Sequence, residues 1–323
     1  MHIVVLGAGV VGLSTAVKAQ DAGHTVTIVA DILPGDPKSA EYTSPWAAAH
    51  HVSQATPEDK FQQELDTTTF REFWRMSEPE SDASGCLMRM QQTDYYAFKL
   101  PRPSLLEQLN SALSRTERAC PSSPGRHDIR HHLDRQRSVP AFPVLQVPRT
   151  GGCVARARVQ HIDQVIAGAF TPGVLPETIF VCTGIGARFL GGVEDKSVYP
   201  IRGQTVVIRA PWIKSGHTYI GHETLTHILP RRSGDVVVGG TRGENDWYPL
   251  PRPEVAEDIL QRALTLAPYI APPEARADGR TPTVEDVKSI IVEHGCGFRP
   301  ARKGGIRIER EWRELKVTTR RFL

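Results

Sequence analysis

The stretch from His2 to Asp31 constrains the fold of this chain more than any other part of the sequence. An apolar run, Ile3 to Leu6, has the composition of a short strand buried on both faces, as parallel strands usually are. A glycine turn with the sequence GAGVVG follows at 7–12, and the apolar spacing after it predicts a helix. A second β-branched run, Thr25 to Val29, leads to Asp31. Strand, glycine turn, helix, strand and acid within about thirty residues are typical of a dinucleotide-binding unit.

The glycines of this turn have separate physical tasks. Gly7 permits the tight turn, Gly9 lets the backbone approach a pyrophosphate, and Gly12 lets the helix lie close to the strand. We expect the pyrophosphate at the helix N-terminus, where N–H groups and the helix dipole favour an anion. Asp31 stands where a carboxylate accepts hydrogen bonds from a ribose hydroxyl. The predicted cofactor site also includes the residues between the glycines, Ala8, Val10 and Val11. The fingerprint leaves FAD and NAD as alternatives.

The composition is ordinary for a globular enzyme and excludes several other classes. With 323 residues, the chain has room for one large or two moderate domains, and 40% of it is hydrophobic. A net charge of +3 gives no argument for binding to nucleic acid or to an anionic membrane. The five cysteines lack metal or disulfide spacing, which fits free thiols in a reducing compartment. Without a long apolar run or a leader before the first strand, we expect an intracellular protein with no membrane span.

Small residues and aromatics follow the predicted βαβ unit. Ser44, Ala47 and Ala48 belong to the run SPWAAA, which suits either a backbone pressed against a flat ligand or a close-packed helix turn. Aromatic residues at helical spacing predict an amphipathic helix over 57–76.

Two later strands are predicted beside the first pair. One covers 153–159. The other begins at Thr178 and runs into Cys182, Thr183 and Gly184, a pattern typical of a further strand of the nucleotide-binding sheet. Alternating runs between 199 and 242 predict antiparallel strands of a second, substrate-facing domain, and a helix is predicted around 253–267.

The stretch 105–150 is atypical. Residues 111–150 show no helical or strand period, contain arginine without lysine, and cluster proline, serine and histidine. Three histidines there (His127, His131 and His132) are candidate metal ligands, but no acidic or cysteine partner is spaced to complete a site, so we predict no metal centre. An irregular, poorly folded insertion is the simpler interpretation, and a damaged coding sequence is a third.

Several segments, in the same order along the chain, resemble the D-amino-acid oxidase family, which includes the D-aspartate oxidases. They are the glycine fingerprint, SPWAAA at 44–49, VCTG at 181–184, LGG at 190–192, PIRGQ at 200–204, ILP at 228–230, GGT at 239–241 and GFRP at 297–300. Many flavoproteins share the fingerprint, whereas PIRGQ and GFRP are much more specific. The resemblance covers most of the chain apart from 105–150.

The resemblance implies an α/β protein in which a Rossmann-like FAD-binding domain carries a second, α+β substrate domain with an antiparallel sheet. The FAD-binding domain would comprise 1–100, 151–195 and 285–323, and the substrate domain 200–284. Family members oxidise a D-amino acid to an imino acid, which hydrolyses to a 2-oxo acid and ammonia, and oxygen becomes hydrogen peroxide. D-amino acid and molecular oxygen are thus the implied partners, and a homodimer is compatible with this assignment.

The resemblance also implies roles for individual residues. Arg299 matches the arginine that clamps the substrate carboxylate, a task suited to the guanidinium fork. Val159 would pack on the adenine, and Cys182, Thr183 and Gly184 would line the cofactor. No nucleophile is required, because the flavin accepts the hydride and the protein provides orientation.

The sequence departs from the family in three places. His227 stands where the family usually has a tyrosine that helps to hold the carboxylate; an imidazole nitrogen can donate a similar bond, and Tyr219 is a second candidate. Family chains continue past the position of Leu323 with a strand and a glycine-rich helix start, for which we find no equivalent. Residues 105–150 are the third departure. We therefore expect weaker FAD binding and reduced or absent turnover.

The residue after the GGT segment bears on the choice of substrate. Arg242, after GGT, could pair with a side-chain carboxylate or face solvent, so neutral D-amino acids are the first choice and acidic ones the second. An inactive family member that keeps only the fold is the non-enzyme alternative. GFRP and PIRGQ argue against an NAD-dependent dehydrogenase. The cytoplasm and the peroxisome are both open, because the chain ends without a Ser-Lys-Leu-type signal.

Overall fold

A computed structural model describes residues 1–52, 55–56, 58–97, 152–277 and 279–313, together with the backbone of strands at 114–117 and 131–140. The described strands form two sheets, one of four strands and one of nine. Helices cover both sheets, and a short loop around Trp46 reaches from the first sheet to the second.

The four-stranded sheet is parallel throughout and has the order β6-β2-β1-β7. Its strands are β1 (His2–Leu6), β2 (Thr25–Ala30), β6 (Cys153–Arg156) and β7 (Thr178–Val181). Helix α1 (Val10–Asp21) connects β1 to β2, and α3 (Ile162–Ile166) follows β6. The predicted βαβ unit is therefore confirmed, as is the place of β7 in the same sheet. Strand β6 ends at Arg156, so the prediction of a strand to 159 was three residues too long.

Alternating side chains of β1 explain why this sheet is buried on both faces. Ile3 and Val5 pack against α1, whereas Val4 and Leu6 pack on the opposite face against Ile162 and Val165 of α3. All four β1 side chains have exposures of 4% or less, which removes both faces of the strand from water. A polar side chain at any of these positions would bury an unpaired group, which explains the continuous apolar run in the sequence.

The nine-stranded sheet is mostly antiparallel, with the order β12-β8-β11-β10-β9-β3-β5-β4 and β13 paired to β8. Its strands are β3 (Leu87–Tyr96), β4 (Ser114–Glu117), β5 (His131–Pro140), β8 (Val198–Arg209), β9 (Gly216–Ile220), β10 (Leu225–Pro230), β11 (Asp235–Gly239), β12 (Gly243–Glu244) and β13 (Ile291–Arg302). Strands β4 and β5 lie in the stretch for which the sequence predicted no regular structure, and the rest of 105–150 lies outside the described residues.

Three further helices accompany the sheets: α2 (Lys60–Met76), α4 (Pro253–Leu266) and α5 (Val284–Lys288). Both helices predicted from sequence, over 57–76 and 253–267, are confirmed within a few residues. Helix α2 begins after Asp59, whose carboxylate accepts a hydrogen bond from the backbone N–H of Gln62 at 3.0 Å. Short 3₁₀ turns lie at Ser44–Trp46, Ser84–Cys86, Gly184–Arg188, Pro268–Ile270 and Pro273–Arg276.

Helix α4 covers one face of the nine-stranded sheet and thereby decides where a site can form. Val206, Ile208 and Ile228 of the sheet pack with Ile259 and Leu260 of α4 in the largest apolar cluster. Because successive strand residues point to opposite faces, the neighbours of these residues lie on the other face, away from α4. That second face carries Gly203, Gly239 and the side chain of His227, together with the buried apolar side chains of Val207, Val237 and Leu229.

The described residues add three findings to the sequence predictions. None of their helices is long and apolar enough to cross a membrane, and none of their His, Cys, Asp and Glu side chains cluster as a metal site. Their cysteines are free thiols. Strands β3 and β13 lie in segments that the predicted boundaries assign to the FAD-binding domain, and both pair within the nine-stranded sheet. The domain boundaries remain a prediction.

Candidate active site

The glycine turn after β1 has no room for a side chain at two positions. Gly7 has φ = +109°, and a Cβ placed there would lie 2.4 Å from the carbonyl oxygen of Cys182. A Cβ on Gly12 would lie 2.0 Å from the carbonyl oxygen of Gly7. Strand β1, helix α1 and the end of β7 therefore approach each other more closely than any side chain permits.

The N-terminus of α1 is arranged to receive an anion. Its N-cap is Gly9, which provides no capping side chain, and no acidic residue lies in the first turn. The backbone N–H of Val10 donates to the hydroxyl oxygen of Ser44 at 3.0 Å, and Val11 is 63% exposed. A phosphate group here would meet helix N–H groups and the positive end of the helix dipole, together with a hydroxyl that can donate its own proton.

The carboxyl end of β7 completes this side of the cleft. The backbone N–H of Cys182 donates to the carbonyl oxygen of Leu6 at 2.8 Å, which fixes the start of the CTG segment beside the glycine turn. The hydroxyl of Thr183 is buried and has no hydrogen-bond partner among the described residues. Gly184 follows with φ = +55°. A buried hydroxyl beside a glycine cradle is the kind of group that a dinucleotide would satisfy, so these residues fit a cofactor such as FAD.

The remaining predicted cofactor residues lie around the same edge. Asp31 directly follows β2, and Val159 is half-buried against the apolar cluster that includes Val4 and Leu6. Burial raises the pKa of the Cys182 thiol, so Cys182 lines the cleft as a neutral side chain and not as a thiolate. The structure brings the predicted cofactor residues to one edge of the parallel sheet; their individual contacts with a cofactor remain predictions.

The SPWAAA segment bridges the two sheets. Ser44–Trp46 form a 3₁₀ turn, and Ala47 is extended, with φ = −65° and ψ = 136°, so a helix turn over the alanines is ruled out. The carbonyl oxygen of Ala47 accepts a hydrogen bond from Arg231 at 3.1 Å, and Ala48 packs against Met90 and Leu229. The segment thereby connects the glycine-turn edge of the first sheet to the face of the second sheet that is turned away from α4.

Arg299 and His227 converge on the face of the nine-stranded sheet turned away from α4, above a floor of glycines. The guanidinium of Arg299 lies over Gly203, where an added Cβ would come within 2.3 Å of Nη1, and it donates to the carbonyl oxygen of Thr241 at 3.1 Å. The imidazole of His227 lies over Gly239, where an added Cβ would come within 2.5 Å of Nε2. Side chains from strands β13 and β10 thus extend towards each other, and the strands between them contribute little bulk.

The electrostatics of this pair favour a bound anion. Nε2 of His227 is buried and has no hydrogen-bond partner among the described residues. Burial and the positive charges of Arg299 and Arg262 lower the pKa of His227 to about 4, so its imidazole is neutral near pH 7. The surrounding protein and the charge of Arg242 lower the pKa of Arg299. No salt bridge involves Arg299 within the described part of the chain, which leaves its charge available to a ligand carboxylate.

Two predicted substrate residues have different positions from this pair. Tyr219 pairs with Thr226, the neighbour of His227, and packs against the apolar cluster under α4, so it lies on the opposite face of the sheet. The prediction that Tyr219 helps to hold the carboxylate is therefore corrected. The side chain of Arg242 is 69% exposed and forms an ion pair with Glu244 at 3.2 Å, close enough to Arg299 to influence its pKa.

Sequence reasoning missed several residues that shape the site. Arg262 of α4 donates to the carbonyl oxygen of Leu225 at 2.8 Å and to the hydroxyl of Thr226 at 2.7 Å, which places a positive charge near His227. The indole of Trp46 lies over Gly295 and Gly297 of β13. The sequence signal for these contacts was the presence of glycines inside strands that are otherwise β-branched. Such glycines mark positions where another group approaches the backbone closely.

Replacing Gly12 by alanine tests the geometry of the glycine turn. The added methyl would overlap the carbonyl oxygen of Gly7, so we expect a loss of about 1–3 kcal/mol in the free energy of unfolding and protein purified without bound flavin. Flavin absorbance relative to protein absorbance and urea unfolding measure both effects. Gly85→Ala is the control, because nothing lies within 4 Å of its added Cβ. A flavin-loaded Gly12→Ala variant of normal stability would contradict the expectation.

A parallel sheet with a glycine turn, joined to a sheet whose Arg299 forms no salt bridge among the described residues, is the arrangement expected of a dinucleotide-dependent oxidoreductase. The chain belongs to the family of FAD-dependent oxidoreductases, whose family model matches residues 2–311. FAD is accordingly the cofactor, and the NAD alternative is ruled out.

Curated relatives match almost the whole chain. A D-aspartate oxidase from Cryptococcus neoformans var. grubii is 32% identical, and the match covers 95% of this chain and 87% of the relative. A D-amino-acid oxidase from Fusarium vanettenii is 31% identical over 96% of this chain and 87% of its own length. Among solved structures, a glycine oxidase from Geobacillus kaustophilus has a TM-score of 0.60 at 16% identity and covers 94% of this chain and 84% of its own, a likeness of fold.

Proposed function

We propose that this chain is an FAD-dependent oxidase that converts D-amino acids and oxygen into 2-oxo acids, ammonia and hydrogen peroxide. The observation that carries the proposal is the convergence of Arg299 and His227 on a glycine floor beside the cofactor edge. The relatives at about a third identity, named D-aspartate oxidase and D-amino-acid oxidase, support the same reaction class.

Arg299 is proposed to bind the substrate α-carboxylate. Its guanidinium offers a fork of parallel N–H groups, and one of them already donates to the carbonyl oxygen of Thr241, which limits rotation of the side chain. The carboxylate fixed here would be the reference point from which the rest of the substrate is oriented.

His227 is proposed to supply the second contact to that carboxylate. Its buried Nε2 lacks a partner among the described residues, and a neutral imidazole protonated at this nitrogen donates one hydrogen bond. The low pKa of His227, about 4, keeps a second full charge out of the free site. A histidine can thus take the place of the tyrosine of other family members, with a contact that depends on its tautomer and charge.

The chemical step requires orientation more than acid–base groups from this chain. When bound, the flavin accepts the hydride from the substrate α-carbon and returns the electrons to oxygen. Arg299 and His227 would hold the carboxylate, and the segment around Trp46 and Ala47 would close the site between the two sheets. Holding the reacting carbon in one orientation removes much of the entropic barrier to transfer.

Turnover is tested most directly by adding D-alanine to purified protein without oxygen. Bleaching of the flavin absorbance followed by its recovery on aeration supports the proposed oxidase, and the initial rate of bleaching measures the reductive step. Protein that binds FAD but never bleaches with any of a panel of D-amino acids would support the alternative of a family member that retains only the fold.

Neutral D-amino acids are our first choice of substrate, and D-aspartate is the alternative. Arg242 is solvent-exposed and already paired with Glu244, which favours neutral substrates, yet it lies near Arg299 and the Cryptococcus relative is a D-aspartate oxidase. We expect a higher rate of peroxide formation with D-alanine than with D-aspartate. Arg242→Gln should change the D-alanine rate by less than about threefold, since exposed ion pairs contribute under about 1 kcal/mol.

A preference for D-aspartate over D-alanine would point to a different role for Arg242. Preference for D-aspartate, together with a rise of about tenfold or more in its KM in the Arg242→Gln variant, would assign the side-chain carboxylate to Arg242. The location in cytoplasm or peroxisome and the assembly as a homodimer are further proposals, which rest on the family resemblance alone.

A further inference from the structure

An ion pair away from the substrate site joins two segments at the carboxyl edge of the parallel sheet. Arg156, the last residue of β6, donates to both carboxylate oxygens of Asp36, at 2.7 and 3.0 Å. The same guanidinium donates to the backbone carbonyl oxygen of Asp31 at 3.3 Å. The partners are 120 residues apart in sequence and follow adjacent strands, β6 and β2. The pair therefore connects the end of β6 to the loop that follows β2, beside Asp31.

Asp36 also fixes the loop in which it lies. Its carboxylate accepts a hydrogen bond from the backbone N–H of Leu33 at 2.8 Å, and the Leu33 side chain packs against the core cluster under α1. The hydrogen bonds from Arg156 and Leu33 lower the pKa of Asp36 to about 2, so the carboxylate remains charged at any ordinary assay pH. The segment 31–36 is thus held at three points: the sheet, the core and the ion pair.

The same loop continues to the glycine turn. Tyr42 donates its hydroxyl proton to the carbonyl oxygen of Ala8 at 2.7 Å. Burial, with the nearby charge of Asp36 in second place, raises the pKa of Tyr42, which keeps the hydroxyl protonated as a donor. Residues 31–42 therefore form one connected wall from the end of β2 to the turn between β1 and α1.

We propose that Arg156 and Asp36 form a clamp that positions Asp31 for the adenosine half of FAD. In dinucleotide-binding βαβ units, the acid after the second strand accepts hydrogen bonds from the ribose, so the backbone at Asp31 must be held in place. Arg156 supplies that hold through the Asp31 carbonyl, and Asp36 orients Arg156. Both terminal nitrogens of Arg156 donate to Asp36, and one of them also donates to Asp31, although the side chain is 56% exposed. The clamp rests on FAD binding by this chain and acts without touching the flavin ring.

Arg156→Gln tests the clamp through cofactor affinity instead of activity. We expect the dissociation constant of the apoprotein for FAD, measured by quenching of flavin fluorescence, to rise about tenfold, as expected when a hydrogen bond to a charged group is lost. Affinity for ADP, measured by competition, should fall by the same factor. Affinity for FMN, which lacks the adenosine half, should stay within about twofold of wild type.

A matched control and a double variant separate positioning from general stability. Arg280 forms a similar bidentate pair with Asp286 beside α5, at 2.9 and 2.5 Å, and Arg280→Gln should leave all three affinities unchanged. Asp36→Asn keeps an oxygen that accepts from the Leu33 N–H but loses the negative charge. It should weaken the binding of FAD and ADP as much as Arg156→Gln does. The variant with both substitutions should bind FAD little more weakly than either single variant, because the two residues act as one unit. The clamp would be overturned if Arg156→Gln bound FAD with wild-type affinity, or if it lost the same factor in affinity for ADP and for FMN. Absence of FAD binding by the wild type would overturn the cofactor assignment as well.

Discussion

Replacing Arg299 by glutamine is expected to lower kcat/KM for the best D-amino acid by about 10³-fold, equivalent to about 4 kcal/mol. The guanidinium can give a carboxylate two parallel charge-assisted bonds, each contributing about 1.5–3 kcal/mol. Arg299 forms no salt bridge within the described residues, and its exposed side chain is accessible to a ligand. Most of that free energy is therefore available to the substrate.

Arg299→Lys separates charge from geometry. Lysine keeps the positive charge but loses the planar fork, so we expect an intermediate loss of about 10- to 100-fold. Steady-state kinetics with hydrogen peroxide detection give kcat and KM for both variants. The flavin content of each should equal that of wild type, because Arg299 lies on the nine-stranded sheet and not at the glycine turn. A glutamine variant within about threefold of wild type would contradict the assignment of Arg299.

The parallel sheet could be predicted from sequence because its signals are local. The run Ile3–Leu6, the glycines of the turn and the run before Asp31 are contiguous, and each has one physical explanation. The cofactor edge follows from the same segment, since the carboxyl ends of neighbouring parallel strands meet at one edge. Thr183 and Gly184 were identified in the same way, as residues that follow a buried strand.

The substrate face could be predicted only in part, because register is not a local property. His227 and Tyr219 both lie in strands near the site, but the pairing of His227 with Thr218 turns Tyr219 to the opposite face. A shift of β9 by one residue would bring Tyr219 to the same face as His227, and the sequence contains nothing that excludes the shift. The pair Arg156–Asp36 was missed for a related reason: its partners are brought together only by the parallel pairing of β2 with β6.

Acid is expected to destabilise the wild-type protein by about 3 kcal/mol through His227 alone. The folded-state pKa of His227 is about 4, below the ordinary value of 6.5, because its ring is buried and positive charges lie nearby. Below pH 6.5 the unfolded chain binds a proton that the folded chain still excludes, so stability falls as the pH falls towards 4. Each unit of difference corresponds to about 1.4 kcal/mol, which sets the size of the loss.

Urea unfolding at pH 7 and pH 4.5 measures this loss. We expect wild type to lose about 2 kcal/mol more than His227→Gln between these values, since glutamine has no proton to bind. Carboxylates such as Asp36 and Asp246, each with a pKa of about 2, lose most of their contribution at lower pH, and any part lost within this window is common to wild type and His227→Gln. His294→Gln, which removes an exposed histidine of β13, should behave as wild type does. If His227→Gln shows the same pH dependence as wild type, His227 is not held neutral by its surroundings, and its proposed role as a neutral donor to the carboxylate fails with it.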